Sequence, residues 1–218
     1  DSTVLAAYES WCTASVNDPD PGFWGHWPRY YAEMPVKQDW VQAAAKRCQT
    51  AVVVIGRSAG EDRENTLKKG SFYLTNKEKA LLDAVTAAFQ KVVLVLNIGS
   101  IMDFAEIDAY GDKISAILLA WQLGMESGNA VADVLTGQVN PSGRLTDTIA
   151  KTYADYPAQN FGNKAENRYT EDIFVGYRYF ETFAPERVLY PFGYGLSYTD
   201  FACKVKKAEI KDQTVTVQ

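Results

Sequence analysis

The chain has 218 residues, of which 47% are hydrophobic and 22% are charged, and its formal net charge is −5. This composition is typical of one main globular domain with a sizeable core, and it excludes a disordered or fibrous protein. The negative charge argues against binding to nucleic acid or to an anionic membrane, because both require clustered Lys and Arg. Apolar runs also stay well short of the roughly 18 residues of a membrane span. A neutral, polar ligand fits the chain better.

Three short apolar runs predict buried β-strands at residues 51–55, 92–96 and 116–119. Between the first two, Thr75 and Glu78 have the spacing of a capping box, in which a hydroxyl and a carboxylate each bind the other residue's amide. This part of the chain is therefore predicted to run strand, loop, helix, strand. The apolar positions of the helix recur at helical spacing, and they are Leu81, Leu82, Val85, Ala88 and Phe89.

The same alternation continues toward the C-terminus. Residues 101–110 predict a short helix and residues 126–135 a second one, which Gly137 is placed to end. Strands that alternate with helices favour a mainly parallel sheet with both faces covered. We therefore predict an α/β fold, a three-layer α/β/α sandwich over residues from about 35 to 150. A loop rich in Pro, Gly and Trp precedes it, and an aromatic-rich segment at 150–200 wraps it.

The loop after the first predicted strand carries the candidate site residues. Carboxylates and arginines flanked by glycine follow that strand, and the carboxyl ends of strands are where open α/β sheets usually hold catalytic groups. Glu61 is the candidate catalytic residue. Arg57 and Arg63 are candidate substrate-binding residues, although ion pairs that stabilise the loop explain them at least as well.

Neither a cofactor nor a metal site is predicted. His26 is the only histidine, and the three cysteines have no metal-ligand spacing. We favour a packing role for His26 over stacking on a ligand. No Gly-x-Gly-x-x-Gly or Walker sequence is present, which argues against a nucleotide site.

Several sequence blocks, each weak alone, occur together in one order. They are VIGR (54–57) with AGE (59–61), NIG (97–99), WQLG (121–124), AVADVLTG (130–137), NPSGRL (140–145), VGYRY (175–179) and YPFGYGLSY (190–198). Together they resemble the C-terminal half of glycoside hydrolase family 3, the β-glucosidase and β-xylosidase group. The resemblance covers roughly residues 40–201.

The resemblance implies a retaining glycosidase of two domains, acting on a β-glucoside or a related oligosaccharide. In that family a barrel domain supplies an aspartate nucleophile in a Ser-Asp-Trp type segment, and the sandwich domain supplies the acid/base carboxylate. No Ser-Asp-Trp occurs here, so the implied partner is a barrel domain of the same protein, and the chain alone is expected to be inactive. Glu61 takes the acid/base position. Glu64 is the alternative, because this loop is two residues shorter than the family's Gly-Glu-Gly-x-Asp-Arg.

The resemblance also implies the domain limits. Residues 1–200 match the sandwich domain, incomplete at its N-terminus, and residues 201–218 match the first strands of a fibronectin type III-like domain. A sheet that lacks its first strand and helix exposes an apolar edge or face. We therefore expect the isolated chain to form a homodimer or to be marginally stable. The alternative to catalysis is a non-catalytic carbohydrate-binding or interface domain in which Glu61 is structural.

Overall fold

The computed structural model describes residues 2–16, 30–58, 65–159, 163 and 165–218. No helix in these ranges is both long and apolar enough to cross a membrane. The α-helices within them are α1 (Ser2–Val16), α2 (Gln38–Ala45), α3 (Asn76–Ala88), α4 (Ala105–Asp108), α5 (Ser127–Thr136) and α6 (Tyr177–Phe183), and short 3-10 helices lie at Gly111–Lys113, Tyr153–Asp155 and Pro185–Arg187.

The strands in the described residues form one parallel sheet and two antiparallel pairs. The parallel sheet has the order β1-β2-β3 and joins the three predicted strands, which confirms the α/β class. The last pair is a hairpin within the segment 201–218, and the domain boundary proposed at residue 200 stays a prediction. The strands are β1 (Thr50–Arg57), β2 (Lys91–Ile98), β3 (Ala116–Leu119), β4 (Ile149–Ala150), β5 (Val188–Tyr190), β6 (Ala208–Lys211) and β7 (Thr214–Val217).

Local sequence signals place the ends of α3 and α5 correctly. The Glu78 amide donates to Thr75 Oγ1 at 3.1 Å, and the Thr75 amide donates to Glu78 Oε2 at 2.7 Å, which confirms the capping box. Helix α5 ends at Gly137, whose φ of 76° is left-handed, as a terminating glycine requires. The helix predicted at 101–110 is shorter than expected, since only α4 is α-helical there and a 3-10 turn follows it.

The core lies between α3 and one face of the parallel sheet. Strand β2 is the central strand and is buried along most of its length. Strand β1 alternates, so one of its faces is buried and the other is not. Burial of these side chains is the main favourable term that holds the layers together. The core side chains from the sheet and α3 are Val53, Ile55, Leu82, Val85, Val92, Leu94, Leu96 and Ile98.

The other face of β1 is apolar and exposed. Val52 and Val54 are 52% and 53% exposed, although β-branched residues in a parallel sheet are usually covered on both faces. Met125, shortly after β3, is also fully exposed. The apolar exposure expected from the sequence is therefore present, and its pairing with a second copy of the chain stays a prediction.

Candidate active site

A cleft of about 580 Å³ runs along the carboxyl-terminal edge of the parallel sheet. Gly56 of β1 lies beside Asn97 of β2 in the strand register, and both line the cleft. This edge is the usual ligand site of an open α/β sheet. The lining residues are Tyr30, Tyr31, Glu33, Gly56, Arg57, Ser58, Asn97, Gln122 and Leu123.

Arg57 ends β1 in a buried ion pair with Glu78 of α3. Its Nη1 donates to Glu78 Oε1 at 2.5 Å and its Nη2 donates to Oε2 at 2.8 Å, so the pair is bidentate. The two side chains are 5% and 1% exposed. Such a fork-to-fork pair fixes geometry as well as charge. The sequence identified Glu78 as a capping residue but not as the partner of Arg57, because 21 positions separate the two.

The remaining donors of Arg57 bind backbone carbonyls. Nε donates to Ser71 O at 3.3 Å, Nη1 to Gly56 O at 2.8 Å and Nη2 to Tyr73 O at 3.5 Å. Arg57 therefore lines the cleft with its guanidinium already engaged. This arrangement suits a group that holds the end of β1, and a contact between Arg57 and substrate stays a prediction.

Tyr30 covers the guanidinium from the cleft side. The Arg57 Cζ lies 5.5 Å from the centre of the Tyr30 ring, within the range of a cation–π contact. The same ring lies against Gly70, where a Cβ atom would come within 2.0 Å of Tyr30 Cε1. Gly70 also has a φ of +81°, which side-chain-bearing residues rarely adopt. Glycine at position 70 is thus required for this wall of the cleft.

Glu33 supplies a half-buried carboxyl group to the cleft. Burial raises the pKa of Glu33, the charge of Glu78 raises it further, and Arg57 opposes both effects. A carboxyl group in these surroundings keeps its proton to higher pH than an exposed glutamate. No sequence pattern pointed to Glu33, since it lies in a loop without periodicity.

The chain turns sharply after β3 at Trp121. Its φ is 57°, which is uncommon for a residue other than glycine, asparagine or aspartate. The side chain packs against the core. This turn places Gln122 and Leu123 on the cleft. Strained backbone of this kind is found preferentially at functional sites.

Glu61, Arg63 and Glu64 lie outside the described residues, as does His26. The structure does describe the residues that flank the loop. Ser58 follows β1 and lines the cleft, and Asn65 is the first described residue after the loop. Glu61 is three positions from Ser58, so the cleft edge is where the chain enters the candidate catalytic loop.

Comparisons with known proteins match this domain to one family. The profile of the Glycosyl hydrolase family 3 C-terminal domain matches residues 32–198. The beta-glucosidase of Ruminococcus albus is 45% identical over 213 residues, which are 97% of this chain and 22% of that protein. Beta-glucosidase A of Butyrivibrio fibrisolvens is 41% identical over 84% of this chain and 25% of its own length.

Solved structures give the same match. A beta-glucosidase from Paenibacillus barengoltzii aligns with a TM-score of 0.89 and 41% identity over 97% of this chain and 23% of its own. Beta-glucosidase 3B from Thermotoga neapolitana, in complex with α-D-glucose, aligns with a TM-score of 0.83 and 34% identity over 100% of this chain and 31% of its own. The chain thus spans less than a third of each of these relatives.

Proposed function

Since the chain belongs to glycosyl hydrolase family 3 and matches its C-terminal domain, we propose that it supplies the general acid/base of a retaining β-glucosidase-like enzyme that hydrolyses O-glycosidic bonds. Glu61 is the proposed acid/base, and a barrel domain outside this sequence is the proposed source of the nucleophile. The observation that carries the proposal is the position of Ser58. It lines the cleft at the carboxyl end of β1, three residues before Glu61.

The chemistry requires two carboxyl groups about 5 to 5.5 Å apart. The nucleophile attacks the anomeric carbon while Glu61 gives its proton to the leaving oxygen, which produces a covalent glycosyl-enzyme. Glu61, now ionised, then takes a proton from the water that attacks this intermediate. Because the two carboxylates come from different domains in this proposal, the 218-residue chain alone should hydrolyse no glycoside.

The cleft suits a carbohydrate ligand. Tyr30 and Tyr31 offer apolar ring faces with polar hydroxyl groups, and Glu33 and Asn97 offer polar groups beside them. Relatives of this chain are named as beta-glucosidases, which supports a β-glucoside or a related oligosaccharide as substrate. Contacts from Arg63 to sugar hydroxyls belong to the same proposal.

The test compares Glu61→Ala with Glu64→Ala in the complete protein. The measured quantity is kcat/KM for a series of aryl β-glucosides whose leaving groups differ in pKa. In Glu61→Ala, kcat/KM should fall about 10²- to 10⁴-fold for substrates with poor leaving groups, because these need a general acid. It should fall little for a dinitrophenyl glucoside, whose leaving group needs no proton. Glu64→Ala should resemble wild type throughout.

The alternatives predict different results. If Glu64→Ala shows the leaving-group dependence and Glu61→Ala does not, the shorter loop places Glu64 at the acid/base position. If both variants keep wild-type activity on every substrate, the domain is a non-catalytic carbohydrate-binding or interface domain and the proposal is wrong.

A further inference from the structure

Arg57 and Asn65, on either side of the candidate catalytic loop, both bind Ser71, Arg57 through the Ser71 backbone carbonyl and Asn65 through the Ser71 hydroxyl. Ser71 is 5% exposed, and its carbonyl oxygen accepts from Arg57 Nε at 3.3 Å on the N-terminal side of the loop. Its hydroxyl donates to Asn65 Oδ1 at 3.0 Å and accepts from the Thr66 amide at 2.9 Å on the C-terminal side. One residue therefore connects the point where the chain leaves β1 with the point where it returns.

The turn that carries Ser71 has its own hydrogen bonds. The Phe72 amide donates to Thr66 O at 3.1 Å, and the Gly70 amide donates to Tyr73 O at 2.9 Å. Leu74, directly after the turn, is fully buried in the core. Ser71 thus lies on a turn whose position is fixed, and its hydrogen bonds hold both ends of the loop in place.

Two further contacts tie these ends to α3 and to the segment after β2. Glu78 binds Arg57 bidentately while it caps α3 through Thr75. Asn65 Nδ2 donates to Ile101 O, in the segment after β2, at 2.5 Å. The bonds of Glu78 are charge-assisted and buried, and hydrogen bonds of this kind keep a narrow geometry.

We propose that Arg57, Asn65, Ser71 and Glu78, here called the anchor cluster, are positioning residues for the general acid. This inference rests on the proposed function, because the cluster acts through Glu61 and touches no reacting atom itself. Its role is to hold residues 57 and 65 at fixed points so that the acid carboxyl group reaches the leaving oxygen. A misplacement of about 1 Å at a reacting group can cost on the order of 10²-fold in rate.

The experiment uses Ser71→Ala and Asn65→Ala in the complete enzyme. The measured quantity is the slope of log(kcat/KM) against leaving-group pKa for aryl β-glucosides. We expect kcat/KM of each variant to fall on the order of tenfold for substrates with poor leaving groups, because part of the general-acid contribution is lost. For a dinitrophenyl leaving group kcat/KM should fall less than about twofold, since departure of that group needs no proton. A steeper slope is the signature of a misplaced acid.

A purely structural role gives a different result. If the substitution only lowers the amount of folded enzyme, kcat/KM falls by the same factor for every substrate and the slope does not change. That outcome would overturn the proposal. Asn65 is exposed, so Asn65→Ala decides the matter even if Ser71→Ala does not fold.

Ser197→Ala is the matched control. Its hydroxyl donates to Asn140 Oδ1 at 3.0 Å, the same type of bond at the same length as the bond between Ser71 and Asn65. This control should leave the slope unchanged.

Glu61→Ala in the same series separates the two proposals. If Glu61→Ala steepens the slope and the anchor variants do not, the anchor cluster has no positioning role and the proposed function stands. If Glu61→Ala itself has a wild-type slope, the proposed function fails, and the anchor proposal fails with it.

Discussion

The buried pair of Arg57 and Glu78 gives the most quantitative prediction for stability. Arg57→Met keeps most of the side-chain volume but leaves the Glu78 carboxylate without its cation. With the two side chains only 5% and 1% exposed, solvent screens the pair very little. Breaking a buried ion pair from one side costs about 3–5 kcal/mol, because an uncompensated charge stays buried.

This loss is large enough to measure by heat or denaturant. For a chain of this size, 1 kcal/mol corresponds to a shift in Tm of about 2–4 °C, so the expected fall is roughly 6–20 °C. Urea unfolding of the 218-residue chain at fixed protein concentration, followed by circular dichroism, gives the free energy of unfolding directly.

A double-mutant cycle shows whether the loss belongs to the pair. Glu78→Gln removes the charge and keeps an oxygen that accepts from the Thr75 amide. The Arg57→Met/Glu78→Gln variant should lose less free energy of unfolding than the two single variants lose when their losses are added. The difference is the coupling energy of the pair, expected to be about 0.5–3 kcal/mol. Arg168→Met is the control, since its ion pair with Glu166 is more than half exposed and should change stability by no more than about 0.5 kcal/mol. The reasoning is refuted if Arg57→Met costs no more than this control.

Three other features of the fold lead to predictions. Burial and a neighbouring carboxylate raise the pKa of Glu33, so the folded state disfavours the charged form of this side chain. The protonated side chain makes its full contribution to stability below the ordinary pKa of 4.5, and that contribution is lost as pH rises through the raised pKa. Glu33→Gln should therefore raise the unfolding midpoint at pH 7 and not below pH 4.5, and an equal effect at both would contradict this. Gly70→Ala should cost more than about 1 kcal/mol in urea unfolding because of its positive φ and its contact with Tyr30, whereas Gly143→Ala, with open space around it, should cost less. Val54→Lys should weaken self-association of the isolated chain in analytical ultracentrifugation, and a strictly monomeric, highly thermostable wild-type chain would contradict the predicted homodimer.

Features that depend on neighbouring positions in the chain could be predicted from the sequence. The parallel strands follow from short apolar runs, and the start of α3 follows from Thr75 and Glu78, because a capping box is decided within four residues. The end of α5 follows from Gly137 for the same reason. Helix α1 was not predicted. Its apolar and polar residues are not separated onto opposite faces, so it lacks the one-sided apolar pattern on which such predictions depend.

Features that depend on tertiary contacts could not be predicted. Nothing local indicates that Arg57 meets a capping carboxylate, or that Ser71 reaches both ends of the loop, because these contacts join segments that are distant in the chain. Glu33 joins the cleft only through the fold. Glu61, in contrast, was identified from the pattern of its loop and its family resemblance, and its role stays a prediction.

Azide rescue of Glu61→Ala in the complete protein is the most direct test of the acid/base assignment. The substrate is a dinitrophenyl β-glucoside, for which the glycosyl-enzyme forms without a general acid and then waits for a base to activate water. Azide needs no base, so it should restore kcat and yield the β-glycosyl azide if Glu61 is the acid/base. If Glu61→Ala keeps wild-type activity without azide and forms no glycosyl azide, Glu61 is not the acid/base, and the assignment is wrong.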